Sequence, residues 1–257
     1  MEFKIAMHTD IGSVKASNQD SICVKEAYTP EGTVLLTAVC DGMGGLEKGE
    51  LASKTMVELL SVWFEKDLPY LLAKADRKKE ICNSLDALVK NCNHIIMSYG
   101  AQRRIQLGTT VTALLFLPDG DYIICHVGDT RAYVIDHYNA EVLTEDQTLV
   151  QREVRMGRLT KEQALTDPRA NVLLQCVGAS KQVQPVFVQG HVSDNVCYML
   201  CSDGFRHKIT QGEIAEAFSP AANANEVIMK RNIVTLIEKN IERGETDNIS
   251  ALLIRTI

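Results

Sequence analysis

Short apolar runs bounded by turn-forming residues recur along this chain. The runs are rich in Val, Ile, Leu and Tyr, and Gly, Asp, Asn or Pro stand at their ends. This pattern is typical of β-strands that pack into a sheet with a buried face. It predicts strands at residues 3–8, 21–25, 34–40, 108–117, 122–128, 131–136, 171–177, 184–189, 196–202 and 248–255.

Three longer stretches have helical periodicity instead, with apolar residues three and four positions apart. Residues 47–65 predict a first helix, with Pro69 as its stop, and residues 76–102 predict a second. Residues 224–243 predict a third helix, which Gly244 closes as a C-terminal cap. The polar segment from Gln147 to about Pro168 is expected to be a surface excursion with short helices.

The order of these elements indicates the fold class. Strands and helices come in blocks and do not alternate as they do around a parallel sheet. We therefore expect an α+β protein, a four-layer αββα sandwich with two packed antiparallel sheets flanked by helix pairs. Repeats, low-complexity linkers and composition shifts are absent from the sequence, so residues 1–257 are expected to form one domain.

Composition and charge exclude several classes of protein. The 257 residues are 46% hydrophobic and 23% charged, which is ordinary for a globular domain. The net charge of -6, without a basic stripe, argues against a nucleic-acid binder. The sequence lacks the ~20 apolar residues of a membrane helix and a secretory leader, so neither a membrane span nor secretion is expected.

The eight cysteines are also informative about the compartment. Six lie in the strand-like runs and two in the second helical stretch, and the chain contains no C-x-x-C pair. Cysteine used as a small buried hydrophobe favours reduced thiols, and therefore a cytoplasmic protein.

Three acidic stretches place an aspartate next to an apolar run. TAVCDGMGG carries Asp41, YMLCSDGF carries Asp203, and GETDNISALLI carries Asp247. A carboxylate at a strand end is held in place by the sheet. If the three strand ends meet at one edge, these carboxylates would form a site for a hard divalent cation.

Asp-Gly is also a common turn signal, so each stretch alone is weak evidence. Pro118–Asp121, between two apolar runs, is assigned as a plain hairpin turn. A dinucleotide-binding fingerprint fails at Asp41 because Glu47 replaces its last glycine, and a P-loop fails because Gly-Lys-Ser/Thr is absent. An EF-hand loop fails because Met43 and Gly45 occupy positions that need oxygen ligands.

Seven motifs in a fixed order then indicate a family. The motifs are GSVKASNQDS (Gly12–Ser21), VCDGMGG (Val39–Gly45), GTTVTALL (Gly108–Leu115), HVGDTRAYVI (His126–Ile135), LTEDQTLV (Leu143–Val150), CSDGF (Cys201–Phe205) and TDNISALLI (Thr246–Ile254). Together they resemble the metal-dependent serine/threonine protein phosphatases of type 2C, the PPM family, and particularly its bacterial branch.

The resemblance implies a set of metal ligands. Asp41 would bridge two metal ions, and the carbonyl of Gly42 would be a further ligand. Asp203 and Asp247 would complete the first ion. Asp20 would hold metal-bound water from outside the ligand sphere.

The resemblance also implies two features beside this core. Asp129, in GDTR, would join Asp203 at a third, weaker metal site found in bacterial relatives. The polar segment at about residues 151–171 would be the mobile flap subdomain of the family.

Three positions depart from the family pattern. Lys15 aligns with the arginine that grips the substrate phosphate; lysine offers a point charge without a bidentate fork. The alternative for Lys15 is an ordinary solvated surface lysine. Gln19 stands where many relatives have glutamate. Met43 stands where eukaryotic members have a histidine proposed as general acid, although methionine is usual in the bacterial branch.

The chemistry of the ligand set agrees with this function. Oxygen ligands suit Mg²⁺ or Mn²⁺ rather than zinc. Two such ions roughly 3.5–4 Å apart lower the pKa of bound water from ~15.7 toward ~7. The bridging hydroxide could then attack phosphorus in line, without a covalent phosphoenzyme.

The expected function is hydrolysis of phosphoserine and phosphothreonine in phosphoproteins, opposing a bacterial Ser/Thr kinase. The alternative is a catalytically weak or inactive relative that binds phosphoproteins as a regulatory module, which Lys15 and Gln19 make conceivable. Other conspicuous residues have structural interpretations. Trp63 and His126 are expected in the core, and Thr109 and Thr110 are expected to hydrogen-bond near the site.

Overall fold

Two antiparallel sheets of five strands each form the centre of the molecule. The structure is a computed structural model, and it describes residues 1–43 and 48–257. In spatial order, the first sheet contains β1 (Phe3–Asp10), β12 (Ile249–Thr256), β11 (Cys197–Cys201), β8 (Arg131–Ile135) and β9 (Ala140–Val142). The second contains β10 (Val186–His191), β7 (Asp121–Val127), β6 (Val111–Phe116), β3 (Gly32–Cys40) and β2 (Ser21–Thr29). A two-residue ladder joins β4 (Gly42–Met43) to β5 (Gly108–Thr109).

Helices cover the outer face of each sheet. The helices are α1 (Gly49–Lys66), α2 (Leu68–Leu72), α3 (Arg77–Arg103), α4 (Leu149–Arg155), α5 (Lys161–Thr166), α6 (Asp203–Arg206), α7 (Gln211–Phe218) and α8 (Glu226–Glu242). Helices α1 and α3 pack on the second sheet, and α7 and α8 pack on the first. This is the predicted α+β sandwich of two sheets between helix layers, and the fold-class prediction is confirmed.

Strand alternation explains why the layers stack in this way. In β3, Leu35 and Val39 face the other sheet, whereas Leu36 and Ala38 face α1 and α3. The strand is apolar on both faces because both are buried. Burying one leucine in this manner stabilises the fold by roughly 1.5–3 kcal/mol.

The helix predictions are confirmed in outline, with one difference at an end. The predicted start of the first helix, Glu47, lies outside the described residues, as do Gly44 and Gly45 of the VCDGMGG motif. Pro69 is not a simple stop, because it lies in the first turn of α2, where a missing N–H costs nothing. Gly244 follows α8 with a φ of +82°, as expected of a C-terminal cap.

Residues expected in the core are found there. Trp63 is buried, and its Nε1 donates to Ser84 Oγ on α3 at 2.8 Å. His126 is buried and hydrogen-bonded to Thr112 Oγ1 at 2.9 Å. The Pro118–Asp121 segment forms the β6–β7 hairpin turn, as predicted.

One predicted strand is wrong. Residues 171–177 form no strand in the structure, only single bridges from Leu173 to Thr148 and from Val177 to Thr109. The run is apolar, but Val172 and Leu174 remain partly exposed, so it does not bury a face against either sheet. Cys176, placed in this strand from the sequence, lies in an irregular segment. Strands β4 and β9 and helices α2, α6 and α7 were not predicted; all of them except α7 are too short to show a periodicity.

The cysteines are all unpaired, six of them buried and two half-buried. Burial raises the pKa of the Cys92 and Cys201 thiols to about 12. In the parts of the chain that the structure describes, no helix has both the length and the apolar character needed to cross a membrane.

Candidate metal centre

The second sheet brings two of the predicted site aspartates to one end of the sandwich. Asp41 directly follows β3, and Asp20 directly precedes β2. These two strands are antiparallel neighbours, and Ser21 pairs with Cys40 in the ladder. The start of one strand and the end of the other therefore lie side by side.

The first sheet contributes two more in the same way. Asp203 follows β11 and begins α6, and Asp247 lies two residues before β12. In the ladder between these strands Cys201 pairs with Ala251. Asp129 lies in the connection that crosses from β7 of the second sheet to β8 of the first.

These five aspartates lie near enough to one another for their charges to interact. The pKa of Asp41 is raised well above its usual value by burial and by the negative charges of Asp20, Asp203, Asp129 and Asp247. Carboxylates from two sheets, far apart in sequence, therefore lie at neighbouring strand ends, and their grouping into one metal site stays a prediction.

Two threonines fix the backbone at Asp41. Asp41 N donates to Thr110 Oγ1 at 2.9 Å, and Thr110 N donates to Asp41 O at 2.9 Å. Thr109 Oγ1 donates to the same carbonyl at 3.0 Å. Both threonines are buried, and they act as the sequence predicted, by hydrogen bonding beside the site.

The Gly42 carbonyl, predicted as a metal ligand, lies against Gln19. Gly42 N donates to Gln19 O at 3.1 Å. In the amide orientation that satisfies its neighbours, Gln19 Nε2 donates to Gly42 O at 3.1 Å and Oε1 accepts from Gly49 N at 3.2 Å. A side chain at position 42 would collide with the backbone of Gln19 and Gly49, so only glycine fits there.

A histidine and a glutamate that sequence reasoning missed support Asp203. His207 Nε2 is 3.4 Å from Asp203 Oδ2, and His207 Nδ1 is 3.3 Å from Glu245 Oε2. Glu245 Oε1 also accepts from the N–H groups of Thr246 and Asp247 at 2.8 and 2.9 Å. Burial alone would raise the pKa of Glu245, but His207 and these N–H groups outweigh it and lower the pKa to about 2. The only sequence signal for His207 was its position four residues after Asp203.

An ion-pair network that was also missed surrounds Asp129. Arg206 Nη2 lies 3.6 Å from Asp129 Oδ2 and 3.2 Å from Asp146 Oδ2, and it donates to Asp129 O at 3.1 Å. Arg131 grips Asp146 with two hydrogen bonds of 2.7 Å. The Arg131–Asp146 fork is rigid, and Arg206 connects it to the turn that carries Asp129.

Residues 149–171 leave and rejoin the domain close to Asp129. Leu149 N donates to Val172 O at 2.8 Å, and Leu174 N donates to Gln147 O at 2.7 Å. Gln147 Oε1 accepts from Gly128 N at 2.9 Å, next to Asp129. The excursion contains α4 and α5, as its polar sequence predicted, and its base is tied to the loop that carries Asp129.

Lys15 is neither free nor fully exposed. Its Nζ lies 2.8 Å from Asp247 Oδ1, and the two side chains are 41% and 37% exposed. Burial lowers the pKa of Lys15, but the hydrogen bond and negative charge of Asp247 raise it above its usual value overall.

The carboxylates have oxygens without partners. Both carboxylate oxygens of Asp20 and Oδ1 of Asp203 are buried without a hydrogen bond. The Ser202 and Ser250 hydroxyls beside Asp20 lower its pKa, but burial outweighs them and the pKa is raised overall. Buried, unpaired carboxylates are costly unless a cation neutralises them.

These residues fit a hard divalent cation by their donor chemistry. All the donor atoms are oxygens, and several of them are buried without a partner that would neutralise their negative charge. Within residues 1–43 and 48–257, no three His, Cys, Asp or Glu side chains already stand close enough together to hold a metal. Binding would therefore draw the carboxylates together, which like-charge repulsion otherwise opposes.

The raised pKa values predict a pH dependence of stability. Burial raises the pKa of Asp20 to about 7, from 3.8 in an unfolded chain. Between these values the folded state keeps a proton that the unfolded state loses. Asp20 therefore contributes stability below pH ~4 that is lost as pH rises through ~7. We expect urea unfolding in EDTA to show this decline, and Asp20→Asn to flatten it. An equal slope in the variant would contradict the assignment.

Comparison with known proteins identifies the family. The model of the family described as Protein phosphatase 2C matches residues 12–254. The chain is 31% identical over 251 residues to the serine/threonine phosphatase stp of Listeria monocytogenes, covering 96% of this chain and 93% of that protein. The chain belongs to the protein phosphatase 2C family.

Solved structures agree. The Streptococcus agalactiae serine/threonine phosphatase covers 100% of both chains with a TM-score of 0.85 at 28% identity. The catalytic domain of the phosphatase PstP, in complex with two manganese ions, matches 98% of this chain and 97% of its own with a TM-score of 0.78 at 28% identity. The resemblance stated from the seven motifs is confirmed, and with it the prediction of a protein-serine/threonine phosphatase.

Proposed function

We propose that this phosphatase hydrolyses phosphoserine and phosphothreonine in proteins by metal-dependent, direct attack of water on phosphorus. The observation that carries the mechanism is the convergence of aspartates from both sheets at one end of the sandwich. Divalent ions held there would act as Lewis acids and lower the pKa of water.

The proposed ligands are the ones that the family resemblance implies. Asp41, the Gly42 carbonyl, Asp203 and Asp247 would hold two ions. Asp20, buried behind them, would orient water through its free oxygens. The manganese complex of PstP supports two ions, and Mn²⁺ or Mg²⁺ is proposed because every donor is oxygen. Proximity to Asp203 supports Asp129 as a contributor to a third, weaker site.

Lys15 is proposed to bind the substrate phosphate. Its ammonium already faces the carboxylate cluster, and phosphate bound near the ions would lie within reach of such a cation. Lys15→Ala should raise KM about three- to tenfold with kcat little changed, because a contact made equally to substrate and transition state is lost. Lys15→Arg should match or improve on wild type. Steady-state kinetics on a phosphothreonine peptide measure this, and an unchanged KM in the alanine variant would return Lys15 to the role of a surface charge.

Asp129→Ala tests the third site separately. The two core ions should still bind, since Asp129 is proposed to hold neither, and Arg206 keeps Asp146 as a partner. Turnover of peptide substrate should fall several-fold, and the weak phase of a metal titration should vanish. A wild-type titration with full activity would mean that Asp129 only shapes its turn.

Further proposals concern the surroundings of the reaction. Residues 151–171 are proposed as the flap of a single domain spanning residues 1–257, since their base adjoins Asp129. Phosphorylated proteins are the proposed substrates, and a Ser/Thr kinase is the proposed counterpart. The eight unpaired cysteines support a cytoplasmic location.

One experiment separates the enzyme from the non-catalytic alternative. The chain should release phosphate from a phosphothreonine peptide when Mn²⁺ is added. Fluorescence anisotropy of a labelled peptide should show binding first and then release of the product over time. Stable binding without phosphate release, at any Mn²⁺ concentration, would instead support a phosphoprotein-binding module.

A further inference from the structure

The loop that carries Lys15 is clamped by one buried side chain. Asn248 Nδ2 donates to the carbonyls of Ile11 and Ser17 at 2.9 and 3.1 Å. Asn248 Oδ1 accepts from Gln19 N at 2.9 Å. Both ends of the loop are therefore fixed beside Asp247, the neighbour of Asn248 in sequence.

The loop also packs directly on Asp247. Gly12 has a φ of +75°, and a side chain there would collide with the Asp247 carbonyl. Ser13 Oγ donates to Glu245 O at 3.2 Å. The backbone that carries Lys15 is thus held beside Asp247.

Lys15 occupies an oxygen of Asp247 that a metal ion would need as a ligand. Asp247 Oδ1 accepts from Asn248 N at 2.8 Å as well as from Lys15 Nζ at 2.8 Å. Asp41 and Asp203 also act on the Lys15 charge. The ammonium is therefore a tethered cation at the edge of the cluster that we propose as the metal site.

We propose that Lys15 is an internal counter-cation that competes with the divalent metal for Asp247. This inference rests on the proposed function of the cluster. When metal takes Asp247, the ammonium is released and becomes available to the substrate phosphate. By linkage, phosphate bound to Lys15 should raise the affinity for the metal by the same factor by which bound metal raises the affinity for phosphate. Metal loading and phosphate binding are then coupled through one side chain.

The first measurement is Mn²⁺ affinity without substrate, from electron paramagnetic resonance of the free ion. Removing the competitor in Lys15→Gln should tighten Mn²⁺ binding about two- to fivefold, the size expected of a partly exposed ion pair. Lys15→Arg should bind Mn²⁺ as wild type does. Lys25→Gln is the matched control, since it also removes a paired lysine, one that contacts Glu65 at 2.5 Å, and it should change nothing. Equal affinity of Lys15→Gln and wild type would overturn the proposal.

The second measurement separates competition from a general field effect. In an Asp247→Asn background, where Asp41 and Asp203 still attract Mn²⁺, the gain from Lys15→Gln should disappear. A gain that persists undiminished would show that Lys15 acts only as a nearby charge, and would also overturn the proposal. Failure of the proposed function gives a different result, namely no Mn²⁺-dependent phosphate release by the wild-type chain whatever its Mn²⁺ affinity.

Discussion

Asp41→Asn is expected to lower kcat on a phosphothreonine peptide by at least about a hundredfold, or ~2.7 kcal/mol of transition-state stabilisation. The family resemblance makes Asp41 the proposed bridge between the ions, and the other four carboxylates raise its pKa. An amide is isosteric, but it carries no charge and offers one oxygen. The backbone hydrogen bonds to Thr109 and Thr110 do not involve the side chain, so the fold should be retained.

The chain provides a matched control for this change. Asp119 also lies in an Asp-Gly pair, but in the β6–β7 turn, where it contacts Arg77. Asp119→Asn should keep wild-type turnover. Asp203→Asn should behave as Asp41→Asn does, because Asp203 has a buried oxygen without a partner. If either site variant kept more than about a tenth of the wild-type rate, a loss under ~1.4 kcal/mol, that aspartate would not be a metal ligand.

Excess EDTA should reduce turnover to background, and Mn²⁺ or Mg²⁺ should restore it. Every proposed ligand is a hard oxygen. The proposed reaction needs a water molecule that the bound ions activate, so it should stop when the ions are removed. Phosphate release measured before chelation, after it, and after readdition tests this. Undiminished turnover in EDTA would exclude the two-metal mechanism.

Metal binding should also raise the stability of the folded protein. The folded cluster binds cations and the unfolded chain does not, so Mn²⁺ at a hundred times its Kd adds about 2.7 kcal/mol. For a domain of this size that corresponds to a rise in Tm of roughly 5–10 °C. Asp41→Asn should show a much smaller rise, and an equal rise would locate the bound ion elsewhere.

The sequence predicted those site residues that lie at strand ends. Asp41, Asp203 and Asp247 were recognisable because a carboxylate next to an apolar run is fixed by the sheet. The family resemblance then implied Asp20 and Asp129, and the charges of both act on Asp41. The sandwich itself followed from the many short strands and from helices grouped in blocks rather than alternating with the strands.

The supporting contacts could not be predicted from the sequence. His207 and Glu245 meet across 38 residues of chain, and Arg206 reaches Asp146 from 60 residues away. Such contacts depend on how α6 is placed over the sheets, which periodicity does not determine. The strand predicted at residues 171–177 failed for a related reason. An apolar run becomes a strand only if a sheet edge is there to accept it.

The aspartates come from both sheets, Asp20 and Asp41 from one and Asp203 and Asp247 from the other. Their separation therefore depends on the side chains between the sheets, such as Phe116 and Tyr198, whose rings lie 5.1 Å apart. The apolar interior thus sets the distance between the aspartates of the proposed metal site. Substitutions deep in that interior should therefore change the metal affinity before they unfold the protein, although they touch no ligand.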